Sequence, residues 1–328
     1  MRRVLAIAAV LSLLGAPACS SKVREFASAG GGGGSGPGSG GGGAEASSVS
    51  SGEGGGQGGG GVGDGGGGQG GAGEGGGGGQ GGGGQAAGIY VSTWDALYRF
   101  DPKAASLVRV GPFDCIGDRD GASVTDIAIT GDGKMVGLGS DAGYPYQLLS
   151  IDPASGACSF IGPVGSDIYP SALGVVPAGA LDPARETLVA LVEKSGGGYS
   201  TYYASVDPST GQAATLANLN PYISGTFADL AVAADTQQLY GISQPGNQPA
   251  GAPDHLVEID PASGQVTLDL GSTGIDSFGG LVYWEGQLYG FTSRGTVYGI
   301  DRATAQVTEV PIASAPESNL IFSGAAAF

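Results

Sequence analysis

The sequence predicts an all-β domain: a five-bladed β-propeller of four-stranded antiparallel blades, closed by its C-terminal strand and preceded by a disordered Gly-rich N-terminal segment. Three observations lead there. A strand-and-turn unit recurs five times at the spacing of one blade, a second two-strand motif alternates with it, and the strand missing at the start of the domain reappears at its end.

The recurring unit is Leu97-Tyr98-Arg99-Phe100-Asp101-Pro102, then Leu149-Ser150-Ile151-Asp152-Pro153-Ala154-Ser155-Gly156. It returns as Ala204 to Gly211 and Val257 to Gly264, and in degraded form as Tyr298-Gly299-Ile300-Asp301-Arg302-Ala303-Thr304. The aspartates step by 51, 55, 53 and 41 residues, the range of a four-stranded blade and longer than an ankyrin or leucine-rich repeat. The turn has a mechanism: Asp accepts nearby backbone N–H groups, Pro pre-sets φ, and a downstream Gly supplies the left-handed conformation that closes the hairpin.

The alternating motif runs from Asp126-Ile127-Ala128-Ile129 through Gly131-Asp132-Gly133 to Met135-Val136-Gly137. Asp229 to Val232 leads likewise to Leu239-Tyr240-Gly241, and Leu281 to Trp284 leads through Glu285-Gly286 to Leu288-Tyr289-Gly290. Each copy reads as two antiparallel strands joined by a short turn. The domain opens at Ile89-Tyr90-Val91, a second strand with no inner strand before it, and ends on Asn319-Leu320-Ile321-Phe322-Ser323-Gly324, an inner strand with no successors. Pairing those ends seals a ring and removes its long edges. Six blades is the alternative count.

These L-Y-x-I-D-P-x-[ST]-G units resemble those of bacterial β-propellers on exported lipoproteins, akin to the quinoprotein-like and streptogramin-lyase-like propellers. The resemblance covers Ile89 to Phe328 and implies an architecture. It implies no chemistry, because the tryptophan-docking repeat of quinoproteins and the histidine set of a lyase are missing; the chain has two Trp and one His.

Residues 1–18 read as a signal peptide. Arg2 and Arg3 form a positive start, and Val4 to Leu14 is an apolar stretch broken only by Ser12, too short to span a bilayer permanently. Ala16-Pro17-Ala18-Cys19 resembles a lipobox, which makes Cys19 a lipid anchor at the start of a mature N-terminus, residues 19–29; Ala16-Pro17-Ala18 also fits an ordinary cleavage site. Of the three cysteines, Cys115 and Cys158 can pair and leave Cys19 over. Ser20 lacks the aspartate of inner-membrane retention, so the expected location is the outer membrane, on its periplasmic or cell-surface side.

The linker is residues 30–88, in which 37 of 59 residues are Gly and four are charged. It has nothing to bury and stays a coil, with a span of roughly 40–45 Å that holds the domain clear of a membrane.

The domain of residues 89–328 carries 9 Lys+Arg against 25 Asp+Glu, a field that repels nucleic acid. Candidate site residues are few. Asp126, Asp229 and Asn319, with Gly280 in a fourth blade, hold one repeat position at the channel mouth. There they either bind a cation or sugar, or cap strands by accepting amides of the next blade. Asp118 and Asp120 form a D-x-D-G pattern that resembles a calcium loop but lacks its Glu; a solvated loop is the alternative.

Cys115 and Cys158 are expected to form a disulfide, although strand order places them at opposite ends of their blades. His255 lacks a nucleophile partner. Tyr144, Tyr146, Tyr169, Tyr199, Tyr202, Tyr203 and Tyr222 offer either a binding face or blade packing. The expectation is a monomeric, membrane-tethered binding or scaffolding module for a protein or glycan, without cofactor unless calcium. The alternative is a carbohydrate-active hydrolase with paired carboxylates at the channel, drawing on few glutamates, among them Glu186, Glu285 and Glu309 in turns and outer strands.

Overall fold

The computed structural model describes residues 87–328 except 118, 143, 144, 167, 195–199, 220–227, 247 and 250. The proposed signal peptide, Cys19 and the linker up to residue 86 lie outside the described residues.

The chain forms five four-stranded antiparallel sheets. Blade one holds β1 (Ile89–Ser92), β2 (Ala96–Asp101) and β3 (Ser106–Pro112). Blade two is β4 (Ser123–Ile129), β5 (Met135–Ser140), β6 (Gln147–Ile151) and β7 (Cys158–Pro163). Blade three is β8 (Ile168–Val176), β9 (Thr187–Lys194), β10 (Ser200–Val206) and β11 (Ala213–Asn218). Blade four is β12 (Ala228–Ala233), β13 (Gln238–Ser243), β14 (His255–Ile259) and β15 (Val266–Ser272). Blade five is β16 (Phe278–Trp284), β17 (Gln287–Thr292), β18 (Val297–Ile300) and β19 (Val307–Val310). The last strand, β20 (Gly324–Ala327), pairs antiparallel with β1 through Val91↔Ala325 and completes blade one. The domain is therefore a closed five-bladed propeller.

The closing strand is not the one the sequence pattern suggests. Asn319 to Phe322 looks like an inner strand, yet β20 begins only at Gly324. Leu320 and Phe322 are drawn into the apolar seam with Phe100, Phe291 and Val282, and the strand itself is Gly-Ala-Ala-Ala. Asn319 is exposed at φ 63° outside any strand. It does not share the repeat position of Asp126 and Asp229.

Each seam between neighbouring blades is filled by one apolar cluster, five in all. Alternating side chains of a blade's middle strands pack against a neighbouring blade, which is why Leu97, Leu138, Leu191, Leu239 and Leu288 are wholly buried.

The Asp turns form as their residues dictate. Asp152, Asp207 and Asp260 accept from the backbone N of Ala154, Ser209 and Ala262 at 2.8–3.0 Å. Gly156, Gly211 and Gly264 follow at φ 79°, 80° and 70°. In the first and fifth turns Ala105 and Ala305 take that left-handed place at φ 50° and 58°.

Strand twist of ~20–25° per step swings a blade's outer strand by about 60–75° relative to its inner one. The chain at the ends of β3, β7 and β19 thereby leans onto the Asp turn of the next blade. Gly111 and Gly162 lie against the carbonyls of Ser155 and Thr210, where a Cβ would not fit. Ala213 N donates to Val164 O at 3.1 Å and Ala313 N to Ala105 O at 2.8 Å.

The same lean resolves the cysteine geometry. Cys115, just past β3, reaches Cys158 at the start of β7 with Cα atoms 5.3 Å apart, and the disulfide forms. Asp114 supports it by accepting from Cys158 N at 2.8 Å. Four outer strands carry β-bulges against their inner neighbours, a feature that blunts exposed edges; the fifth, β19, has four residues and runs into Pro311.

Candidate functional site

The inner strands β20, β4, β8, β12 and β16 each present one unpaired edge to the central channel. Buried N–H groups on such an edge need acceptors. Asp126 and Asp229 supply them. Asp126 Oδ1 accepts from Ile127 N at 2.7 Å, and its Oδ2 from Leu173 N of blade three at 2.5 Å. Asp229 Oδ1 accepts from Leu230 N at 2.6 Å, its Oδ2 from Leu281 N of blade five, and the carboxyl also receives Ala325 N of blade one. One amide at the same level of every blade is thus met by two carboxyl groups.

The strand registers place Ala172, Gly280 and Gly324 at the corresponding positions of the other three blades. They are small because the carboxyls occupy the centre: a Cβ on Gly324 would run into Asp126. Both aspartates have zero exposure. Burial pushes both carboxyls up from the ordinary range, and each lies within hydrogen-bonding reach of the other. On the side where the inner strands begin, Ser323 Oγ donates to Val124 O at 3.0 Å and contacts Ser92 Oγ at 3.1 Å, tying blade one to blade two.

On the other side the channel widens into a recess of about 120 Å³ walled by Ile129, Val175, Val232, Tyr283 and Ala327 at its rim and by Leu173, Leu230 and Leu281 deeper in. A glycosidase needs its carboxyls ~5–9.5 Å apart around the scissile bond. Here they touch, are dry, and are committed to backbone amides, which leaves no room for a sugar between them. Of the two readings of this position, amide capping across blades describes the contacts.

The remaining candidates sit on two faces. The face where inner strands begin carries the longer connections and is termed the loop face; the Asp turns and inner hairpin turns form the turn face. Tyr146 and Tyr169 stack edge-on at 6.1 Å on the loop side of blades two and three, with Tyr169 36 % exposed. Tyr169 is the cross-strand neighbour of Glu193, whose carboxyl burial raises. Lys194 lies over the Tyr202 ring at 5.0 Å. Tyr203 is a packing residue, wholly buried, its hydroxyl donating to Pro261 O at 3.0 Å. Tyr144, Tyr199 and Tyr222 lie outside the described residues.

His255 opens β14 and pairs through Nδ1 with the Asp269 carboxylate at 3.1 Å. Beside it Asp254, which the sequence did not single out, is 2 % exposed and accepts from Phe278 N at 2.8 Å. Burial, with Asp276 nearby, raises its carboxyl to about 7. Its signal was a carboxylate beside an apolar strand start, indistinguishable in sequence from a solvated loop acid.

Glu186 accepts Gly131 N at 2.8 Å, and Glu285 pairs with Lys103 at 2.6 Å, both between blades on the turn face. Glu309 lies on β19. Asp120 is exposed in its loop, Arg119 approaches Asp141 at 3.8 Å, and Asp118 lies outside the described residues. Among the described residues no three His, Cys, Asp or Glu side chains are grouped to hold a metal ion.

No protein-family model matches the chain, and no curated protein is similar to it. Solved structures similar in part include a protein of unknown function from Bacteroides caccae, at 11 % identity and TM-score 0.40, covering 72 % of this chain and 77 % of that one. TolB from Acinetobacter baumannii is 16 % identical at TM-score 0.40, covering 72 % and 54 %. An exo-β-1,3-galactanase from Clostridium thermocellum is 12 % identical at TM-score 0.44, covering 67 % and 52 %. This chain thus spans about half the length of the last two.

Proposed function

We propose that the chain is an exported lipoprotein, anchored through Cys19 and held off the outer membrane by its Gly-rich linker, whose acidic propeller binds a protein or glycan through the loop face without catalysis. The observation that carries this reading is the fate of the channel carboxyls. The pair best suited to chemistry is consumed by the fold, so the ligand-facing surface is the set of loops around it. The turn face is a poor alternative, since its aspartates are occupied by turn amides and hydroxyls. The chain also enters at Gly88 on that face, where Phe328 N donates to Gly88 O at 3.3 Å. Entry there leaves the loops of the opposite face unencumbered by the N-terminal attachment.

The tyrosines suit such a role, because Tyr supplies contact area at low entropic cost. The charge of the domain disfavours anionic partners.

Two measurements test the proposal. Labelled fatty acid fed to the producing cells should appear on the wild-type chain and be absent from Cys19→Ser; an unlabelled wild type overturns the anchor. A panel of glycans, proteins and calcium should contain a member that raises the melting temperature of the full chain by mass action. Release of reducing sugar from any glycan in the panel would overturn the non-enzymatic reading.

A further inference from the structure

Asp126 and Asp229 meet only because the ring closes. Between them they hold one strand-edge amide from every blade: Ile127, Leu173, Leu230, Leu281 and Ala325. Nothing cationic answers their charge. The five inner strands packed around the pair carry no Lys, Arg, His or Glu, and their other titratable groups, Tyr169 on β8 and Tyr283 on β16, stand towards the strand ends. Two carboxyls in hydrogen-bonding reach, without water access or a counter-ion, cannot both be ionised at moderate cost. Two fully protonated carboxyls are equally ill-suited, because all five of these amides are N–H donors, which favour the anion.

We infer that Asp126 and Asp229 share a single proton and through it clasp all five blades, so that the ring is tightest in acid and loosens as that proton is removed. The shared O–H donates from one carboxyl to the other, and the remaining charge is spread over five amides. Such a clasp is a pH-sensitive element at the geometric centre of the fold, distinct from the loop face and independent of what binds there. It titrates as a pair, in steps that belong to neither residue alone.

The test compares melting temperatures of the full chain between pH 5 and pH 8, in an Asp254→Asn, Glu193→Gln background so that the other raised carboxyls do not contribute. The melting temperature should fall by roughly 5–10 °C over that range. Asp126→Asn should melt lower at pH 5, since an amide nitrogen cannot accept a backbone N–H. It should show no such fall, because its side-chain N–H replaces the shared proton and lets Asp229 ionise. A melting temperature that rises with pH, or an Asp126→Asn protein that keeps the wild-type slope, overturns the inference. Should that variant fail to fold, the infrared C=O stretch of a protonated carboxyl decides the matter in the Asp254→Asn, Glu193→Gln protein at pH 7, where exposed carboxyls are ionised. One protonated group is expected; none overturns the clasp.

Discussion

Removing the disulfide by the double replacement Cys115→Ser and Cys158→Ser is a sharp perturbation, because it touches one seam and leaves the other four intact. The bridge spans 43 residues, and closing a loop of that length in the unfolded chain corresponds to about 4 kcal/mol at 25 °C on the chain-entropy account. For a domain of this size that is ~8–16 °C in melting temperature. The native side changes little: Cys115 N loses its contact to Cys158 Sγ at 3.2 Å, while Asp114 keeps its bond to the backbone N of residue 158. Urea unfolding of the oxidised wild type, the reduced wild type and the double variant is the assay. Both perturbed forms should lose a similar amount, and adding reductant to the variant should change nothing. A loss below about 1 kcal/mol, or an equal effect of reductant on the variant, would refute the reasoning.

Deleting residues 324–328 removes β20 and with it the pairing that seals blade one; the expected result is loss of the cooperative melting transition, and a truncated chain that melts like the full one would deny closure. Gly264→Ala forces φ 70° on a Cβ and drives it against the Tyr203 ring, so a loss exceeding ~1 kcal/mol is expected in chemical unfolding. Tyr203→Phe removes the hydrogen bond to Pro261 O between blades three and four and should cost about 1 kcal/mol.

Stability as a function of pH should pass through a maximum. The raised carboxyls of Asp126, Asp229 and Asp254 contribute fully below the ordinary carboxylate range and lose that contribution as pH rises through their folded values. The lowered carboxyls, among them Asp132 and Asp235 at about 2 beside Lys134 and Arg302, and Asp152, Asp207, Asp260 and Asp301 in the turns, contribute above that range and lose it as pH falls towards 2. The optimum therefore falls at roughly pH 4–6, between the two sets. A scan of melting temperature against pH with its peak at alkaline pH would contradict this assignment.

Local chemistry that repeats is legible in a single chain, and contacts that exist only after closure are not. The Asp turns announce themselves because Asp, Pro and Gly act on their own neighbours. Ring closure follows from counting strands, since a missing first strand and a surplus last one can only pair with each other. The identity of that last strand was hidden by packing. Phe322 is more apolar than any residue of β20, but Asp126 fills the space where a larger side chain at position 324 would stand, so the inner place goes to Gly-Ala-Ala-Ala.

Asp126 and Asp229 were visible as repeat equivalents, whereas their mutual contact depends on ring curvature that no local pattern encodes. The cysteines, placed apart by strand order, come together through accumulated strand twist. Asp254 and the Tyr146–Tyr169 pair depend on loop paths, for which composition gives no coordinates.

The most direct test of the account is where a ligand acts. For the first panel member that stabilises the full chain, the melting-temperature shift should be lost in Tyr169→Ala and retained in Asp126→Asn, each measured against its own unliganded baseline. A shift lost in Asp126→Asn and retained in Tyr169→Ala would move the site into the channel and contradict a binding module that works through its loop face.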